Sequence, residues 1–509
     1  MSAEVRETEL SGPAGTEVNL ADLVRAAAVR GPQHPALLDA ASGRELTWTE
    51  LDRAVTAQAA RLRSAGVRTG DRVAVVLPTG LEYCVALFAV FRAGAVAVPL
   101  GPEIPAAEIR RVLGDSGAAV VLTDLVAEDL GDGVRVLAPQ VDETGGEDFE
   151  QATAELAALC YTSGTSGPPR GAMLTHSALL ANVRQCGRLR PMPVNAADRV
   201  LLALPLHHAY GMGPGLLQVA AVGATAVLLP RFDAEEALAA ISDLRVTCVV
   251  GVPPMYRAWL RIPARRLRTG MSTVRLLTSG AAPLGADVAA AVRSATGLDV
   301  FEGYGLTETG PVLTTELASP RAKPGAVGRA LPDVELRLLD SDGTPLDELD
   351  EADTGRVCVR GPNLFRGYWP DGAHGPDRDG WFLTGDLGYF DDDGDLHLVD
   401  RATDLIVVNG FNVYPHEVEA VLTELAEVHE AAVVGTPDES TGEAVRAVVV
   451  PVTGAELTEG GVRAHCAAKL ARYKVPREVV FADSVPHSPT GKIARRPLRA
   501  SPRWVGPEL

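Results

Sequence analysis

Between about residue 21 and about residue 400 the chain alternates repeatedly between short apolar runs and stretches of helical period. The runs lie at 72–77, 118–122, 200–204, 224–229, 246–252 and 274–278, and the helix-period stretches at 81–91, 234–244 and 284–296. Strands that are apolar on both faces, with helices between them, specify parallel α/β layers. One sheet cannot hold so many units. The reading is therefore an α/β fold whose large N-terminal domain contains two similar α/β halves. After residue 324 the texture changes to alternating segments at 335–339, 356–360 and 395–399, separated by Asp-Gly turns, which read as a small antiparallel β unit. From 401 onward the pattern is strand 405–408, helix 415–425, strands 431–434 and 445–450, helix 462–471 and strand 478–481. That is a small α+β C-terminal domain. The expected organisation is a loosely ordered 1–20, a large domain at 21–400 and a small mobile domain at 401–509.

A chain of 509 residues exceeds one hydrophobic core, and 46% apolar residues supply several. The formal net charge of −19 argues against nucleic acid or an anionic membrane as partner. The six cysteines are scattered without a CxxC pair, which suits packing in a reducing cytoplasm. The first residues, MSAEVRETELSG, read as neither a signal nor a transit peptide. The most apolar segment, 83–100, contains Arg92 and Pro99, and reads as helix, turn and strand rather than a membrane span.

The chemistry concentrates first at residues 161–171, YTSGTSGPPRG, directly after the apolar run 156–160. Glycines let a backbone approach closely, and hydroxyls, N–H groups and a guanidinium all suit phosphate oxygens. The expected geometry is strand, loop, then a helix from Met173. The loop is not GxxxxGK[ST]. Further segments of note are LPLHHAYG (204–211), TSGAAPL (278–284), EGYGLTETG (302–310), GWFLTGD (380–386), DRATDLIVVNGFNVYPHEVE (400–419) and PTGK (489–492).

In order and wording these motifs resemble the adenylate-forming enzyme superfamily, on its acyl-CoA synthetase (acid:CoA ligase) branch, over about residues 45–498. The resemblance implies a large domain and a small mobile one, with ATP, Mg²⁺, a carboxylic acid and coenzyme A as reactants. A carboxylic acid of pKa ~4 is already ionised at neutral pH. Its attack on the α-phosphorus needs no base; it needs relief of anion–anion repulsion.

By the same resemblance, Lys492 serves the adenylation centre. Thr162, Ser163, Gly164, Thr165, Ser166 and Gly167 form the phosphate loop, and Arg170 holds the β- and γ-phosphates where the family usually has lysine. Glu308, with Thr165, meets Mg²⁺. Tyr304 lies against adenine, framed by Gly280, Ala281 and Ala282, with Glu302, Gly303, Gly305 and Thr307 completing the nucleotide site. Asp386 takes the ribose hydroxyls with help from Arg401. His208 stands beside the acyl pocket, next to His207 where an aromatic residue is expected. Tyr210, Gly211, Met212, Val252, Ala281, Gly303, Gly305, Pro311 and Val312 form that pocket, and Gly211, Gly213 and Gly215 suggest a roomy apolar wall. Val408, Asn409, Gly410 and Phe411 match the loop that admits the thiol. Thr403 occupies the hinge position, where Asp or Lys is common.

The resemblance implies that amino-acid-activating members carry an aspartate after the histidine motif to pair with the substrate ammonium. Residues 206–216 contain no acid, so an apolar (aryl, medium-chain or polycyclic) acid is expected over an α-amino acid. The expected activity is that of an acid–thiol ligase. Alternatives are transfer to a carrier protein's phosphopantetheine, adenylation with a separate acceptor enzyme, and a non-catalytic AMP-binding regulator. Retention of Lys492, Glu308, Asp386 and the phosphate loop disfavours the last. A homodimer is compatible with the sequence.

Overall fold

The computed structural model describes residues 19–125, 130, 133–141, 153–162, 169–340, 342–346, 354–401, 404–409, 411–438, 440–487 and 493–500. The chain forms two compact units. The first is Met1–Glu335 with Val359–Phe382, and the second is Leu336–Cys358 with Leu383–Leu509.

Two sheets build the first unit. The six-stranded sheet runs, in spatial order, Arg135–Leu137, Val120–Thr123, Arg72–Val76, Val96–Leu100, Leu156–Thr162 and Arg170–Thr175. Its strands are parallel except for the last pair, which is an antiparallel hairpin. The nine-stranded sheet has a parallel centre, Val300–Gly305, Leu276–Ser279, Cys248–Gly251, Arg199–Leu202, Thr225–Leu228 and Pro35–Asp39. Antiparallel strands close both of its edges. The apolar runs thus become two-faced buried strands, as their composition demands.

Local chemistry fixes the helices between these strands. Helix Trp48–Ser64 begins with a reciprocal capping box, Thr47 accepting from the Glu50 N–H and Glu50 reaching back to the Thr47 N–H. Helix Leu81–Arg92 is buried almost all round. Arg92 is tolerated there because its guanidinium meets Asp52 at 2.7 Å and Thr56 at 2.7 Å. A core of Leu201, Val227, Leu238, Tyr256, Trp259 and Leu277, among others, packs against the nine-stranded sheet.

The second unit contains most of a four-stranded sheet, ordered Glu335–Leu339, Gly355–Arg360, Trp381–Phe390 and Leu396–Arg401. A five-stranded sheet follows, centred on the long antiparallel pair Val428–Asp438 and Gly442–Pro451. Helices Pro415–Thr423 and Glu459–Lys469 contribute to a core that includes Ile406, Val413, Val418, Leu422, Val433, Ala447 and Val449. Among the described residues no helix is long and apolar enough to cross a membrane.

Candidate active site

The phosphate-type loop departs from the expected strand, loop and helix. Residues 170–175 form a strand, Arg170–Thr175, that pairs antiparallel with Leu156–Thr162, Thr162 opposite Arg170 and Tyr161 opposite Gly171. The helix starts only at His176, with Thr175 Oγ1 accepting the Ala178 N–H at 3.0 Å. Ala172, Met173 and Leu174 are buried in succession, so both faces of this strand are covered and pairing wins over helix formation. Thr162 and Arg170 are therefore paired with each other at the ends of the two strands. Ser163, Gly164, Thr165, Ser166 and Gly167 lie outside the described residues.

Tyr368 connects this hairpin to the LTETG turn. The Arg170 guanidinium carbon lies 4.0 Å from the centre of the Tyr368 ring, a cation–π contact. The Tyr368 hydroxyl donates to Glu308 Oε1 at 2.6 Å. Glu308 is buried within the short turn Thr307–Thr309, and its carbonyl accepts the Phe365 N–H at 2.9 Å. Thr309 Oγ1 accepts the Leu306 N–H at 2.9 Å, which closes the turn. Beneath it lies a buried amide cluster. Asn363 donates to the Thr309 carbonyl at 2.7 Å and Gln185 donates to Asn363 at 3.2 Å. Asn182 exchanges bonds with the Val312 N–H and C=O at 3.1 and 2.7 Å. Tyr368, Asn363, Asn182 and Gln185 build the site without any motif that marks them in the sequence.

Strands Leu276–Ser279 and Val300–Gly305 are parallel neighbours, and their ends carry the residues expected around adenine. Ala281 has φ of 67°, a left-handed conformation that costs a non-glycine residue energy. Ser279 Oγ is buried without a hydrogen-bond partner among the described residues. Tyr304 is buried. Glu302 accepts the Leu284 N–H at 3.1 Å, while its own N–H donates to Glu316 Oε2 at 2.6 Å. Burial pushes the Glu302 carboxyl up to about 8; the Leu284 bond opposes the rise and the Glu316 carboxylate adds to it.

The glycines around the expected acyl pocket are close-packed. A Cβ on Gly211 would lie 2.4 Å from the Pro205 carbonyl oxygen, one on Gly213 2.6 Å from Pro311 Cδ, and one on Gly215 3.0 Å from Leu202 Cδ2. Their smallness admits neighbouring protein atoms on the side where a Cβ would lie. Gly305 is tighter still, its Cβ position lying 1.7 Å from the Pro311 carbonyl oxygen. A Cβ on Gly303 would stand 3.2 Å from the Thr314 carbonyl oxygen. Gly280 faces the Tyr210 ring, its Cβ position 2.8 Å from Cζ. Met212 is fully buried, Val252 is buried and Val312 half-buried. His208 donates its backbone N–H to the Pro205 carbonyl at 3.2 Å, and its ring centre lies 5.5 Å from that of His207. Burial lowers the His207 pKa to about 4.

In the second unit, Asp386 and Arg401 are direct partners across the antiparallel pair Trp381–Phe390 and Leu396–Arg401. Asp386 is buried, and its N–H donates to Thr384 Oγ1 at 3.2 Å. Val408 and Phe411 are opposed across a tight turn. Asn409, the first residue of that turn, has φ of 54°. Phe411 is exposed and stacks on Tyr473, with ring centres 4.7 Å apart. Gly410, Thr403 and Lys492 lie outside the described residues. Among the described residues no three His, Cys, Asp or Glu side chains cluster as a metal cage.

Residues 24–369 match the AMP-binding enzymes, and residues 417–492 match the AMP-binding enzyme C-terminal domain. The chain belongs to the family of AMP-binding enzymes. A feruloyl-CoA synthase of Amycolatopsis sp is 38% identical over 468 residues, spanning 90% of this chain and 94% of that protein. The crystal structure of ATP-bound MatB from Rhodopseudomonas palustris is 33% identical with a TM-score of 0.87, covering 95% of this chain and 98% of that one. O-succinylbenzoate coenzyme A synthetase (MenE) from Bacillus subtilis, in complex with ATP and magnesium ion, is 29% identical with a TM-score of 0.83, covering 93% and 98%. The protein is an acid–thiol ligase.

Proposed function

We propose that this ligase joins an apolar carboxylic acid to the thiol of coenzyme A through an acyl-adenylate. A carboxylate oxygen attacks the α-phosphorus of ATP and pyrophosphate leaves. The thiolate then attacks the acyl carbon and AMP leaves. The observation that carries the reading is the Arg170–Tyr368–Glu308 chain, in which one tyrosine contacts both a guanidinium and a buried carboxylate.

One buried carboxylate, with no protein cage among the described residues, suits Mg²⁺, which takes one or two carboxylates and completes its shell with phosphate oxygens and water. In this reading Glu308, with Thr165, holds the ion, which when bound neutralises phosphate charge. Arg170 binds the β- and γ-phosphates as a planar donor fork. Asp386 and Arg401 hold the ribose, and Tyr304 lies against adenine. Lys492 lowers the repulsion between carboxylate and α-phosphate. Movement of the domain from 401 onward, about Thr403, exchanges the Lys492 face for the Val408–Phe411 turn and admits the thiol.

The lack of an acid at 206–216 and the apolar Met212, Val252 and Pro311 support an apolar acid. The name of the Amycolatopsis relative supports an arylpropenoic one. Cysteines without disulfides support a reducing, cytoplasmic setting. The test is a panel of carboxylic acids with ATP and Mg²⁺, following pyrophosphate release with and without CoA. Release that depends on an apolar acid supports the reading; release indifferent to the acid overturns it.

A further inference from the structure

We propose that Tyr368 is a positioning residue that holds the Glu308 carboxylate and the Arg170 guanidinium in fixed relation, so that one nucleotide's phosphates meet a preassembled pair. The inference rests on the roles assigned above to Glu308 and Arg170.

The backbone around Tyr368 is tied to both partners. The Trp369 N–H donates to the Gly171 carbonyl at 2.8 Å, the Met173 N–H to the Gly367 carbonyl at 3.0 Å and the Arg366 N–H to the Met173 carbonyl at 2.9 Å. Residues 366–369 thereby run alongside the strand that begins with Arg170. At the other side the Phe365 N–H donates to the Glu308 carbonyl. Phe365 packs edge-on to the Tyr368 ring, with centroids 5.1 Å apart. The Tyr368 ring thus has one face taken by a guanidinium and its hydroxyl taken by a carboxylate. The hydroxyl fixes Glu308 Oε1 without neutralising it, and the ring orients Arg170 while leaving the fork's N–H donors available to an anion. A merely space-filling tyrosine would need neither contact.

The two contacts separate in two variants. Tyr368→Phe removes the hydroxyl and keeps the ring; Tyr368→Leu removes both. Binding of α,β-methylene-ATP is measured by calorimetry with and without Mg²⁺, together with the KM values for ATP and for the acid. For Tyr368→Phe the expected result is about a tenfold loss in the Mg²⁺-dependent gain in affinity, with Mg²⁺-free affinity retained. Tyr368→Leu is expected to lose Mg²⁺-free affinity as well, by roughly threefold. The KM for the acid stays within about twofold in Tyr368→Phe, since the hydroxyl acts on the metal side of the site. If Glu308→Gln removes the Mg²⁺-dependent gain but Tyr368→Phe does not, the role of Tyr368 is overturned while the site reading stands. If Glu308→Gln leaves the gain intact, the site reading falls and the inference with it. Thermal melts of Tyr368→Phe keep the test valid even where Tyr368→Leu does not fold.

Discussion

Arg495 Nη2 lies 2.8 Å from both carboxylate oxygens of Glu419, an ion pair inside the second unit. Glu419 also accepts the Val433 N–H at 2.7 Å, and Arg495 Nε donates to the Val433 carbonyl at 3.2 Å. Arg499 meets Asp404 at 2.9 Å. The helix that follows the Lys492 segment is therefore bound to helix Pro415–Thr423 and to the residue directly after Thr403.

Removing one partner of such a buried pair strands the other. Arg495→Met should cost about 3–5 kcal/mol in the second unit, followed by urea denaturation, and Arg495→Lys less. Burial alone would raise the Glu419 pKa, but the His416 contact, Arg495 and the Val433 N–H outweigh it and hold the carboxyl below 4.5. The pair's contribution is present above the unfolded pKa and is lost as pH falls through the lower folded value. Equal acid sensitivity in wild type and Arg495→Met would contradict this.

Glu302 gives the opposite sign. Its folded pKa of about 8 exceeds the ordinary 4.5, so the folded chain holds a proton that the unfolded chain has released. Stability should fall as pH rises between these values, by up to about 1.4 kcal/mol per pH unit, and level off above the folded pKa. Glu302→Gln should flatten that slope in melting curves taken across the window.

Gly305→Ala should be severe, because its Cβ would meet the Pro311 backbone and not a movable side chain. A loss of about 1–3 kcal/mol or more is expected, with loss of most pyrophosphate exchange. Gly460, which has open space around its Cβ position and lies in helix Glu459–Lys469, is the control. Gly460→Ala should be neutral or stabilising by about 0.5–1 kcal/mol. Similar melting temperatures for the two variants would contradict the packing argument.

The layered α/β architecture is legible because two-faced apolar strands leave a compositional mark: the expected run at 224–229 is strand Thr225–Leu228 and that at 246–252 is Cys248–Gly251. The helix expected from Met173 is instead a strand up to Thr175, because periodicity cannot separate a short buried strand from a buried helical turn. Pairing with Leu156–Thr162 decides it. Tyr368 leaves no local mark, since its partner Glu308 is 60 residues away in sequence. Gly213 and Gly305 look the same in sequence whether the missing side chain makes room for ligand or for protein; only the neighbouring atoms distinguish the cases.

Thr403 is the proposed hinge, at a position where the family resemblance implies an acid or lysine. Thr403→Asp should raise thioester output more than pyrophosphate exchange, measured on the same preparation. Equal changes in both would remove the hinge assignment.

The most direct measurement is the fate of ATP in a reaction with an apolar aryl acid, comparing wild type with Lys492→Ala. The wild type should show acid-dependent pyrophosphate exchange without CoA, and AMP with acyl-CoA in equal amounts when CoA is added. Lys492→Ala should bind ATP yet lose exchange. ADP and phosphate as products, or undiminished exchange in Lys492→Ala, would contradict the account.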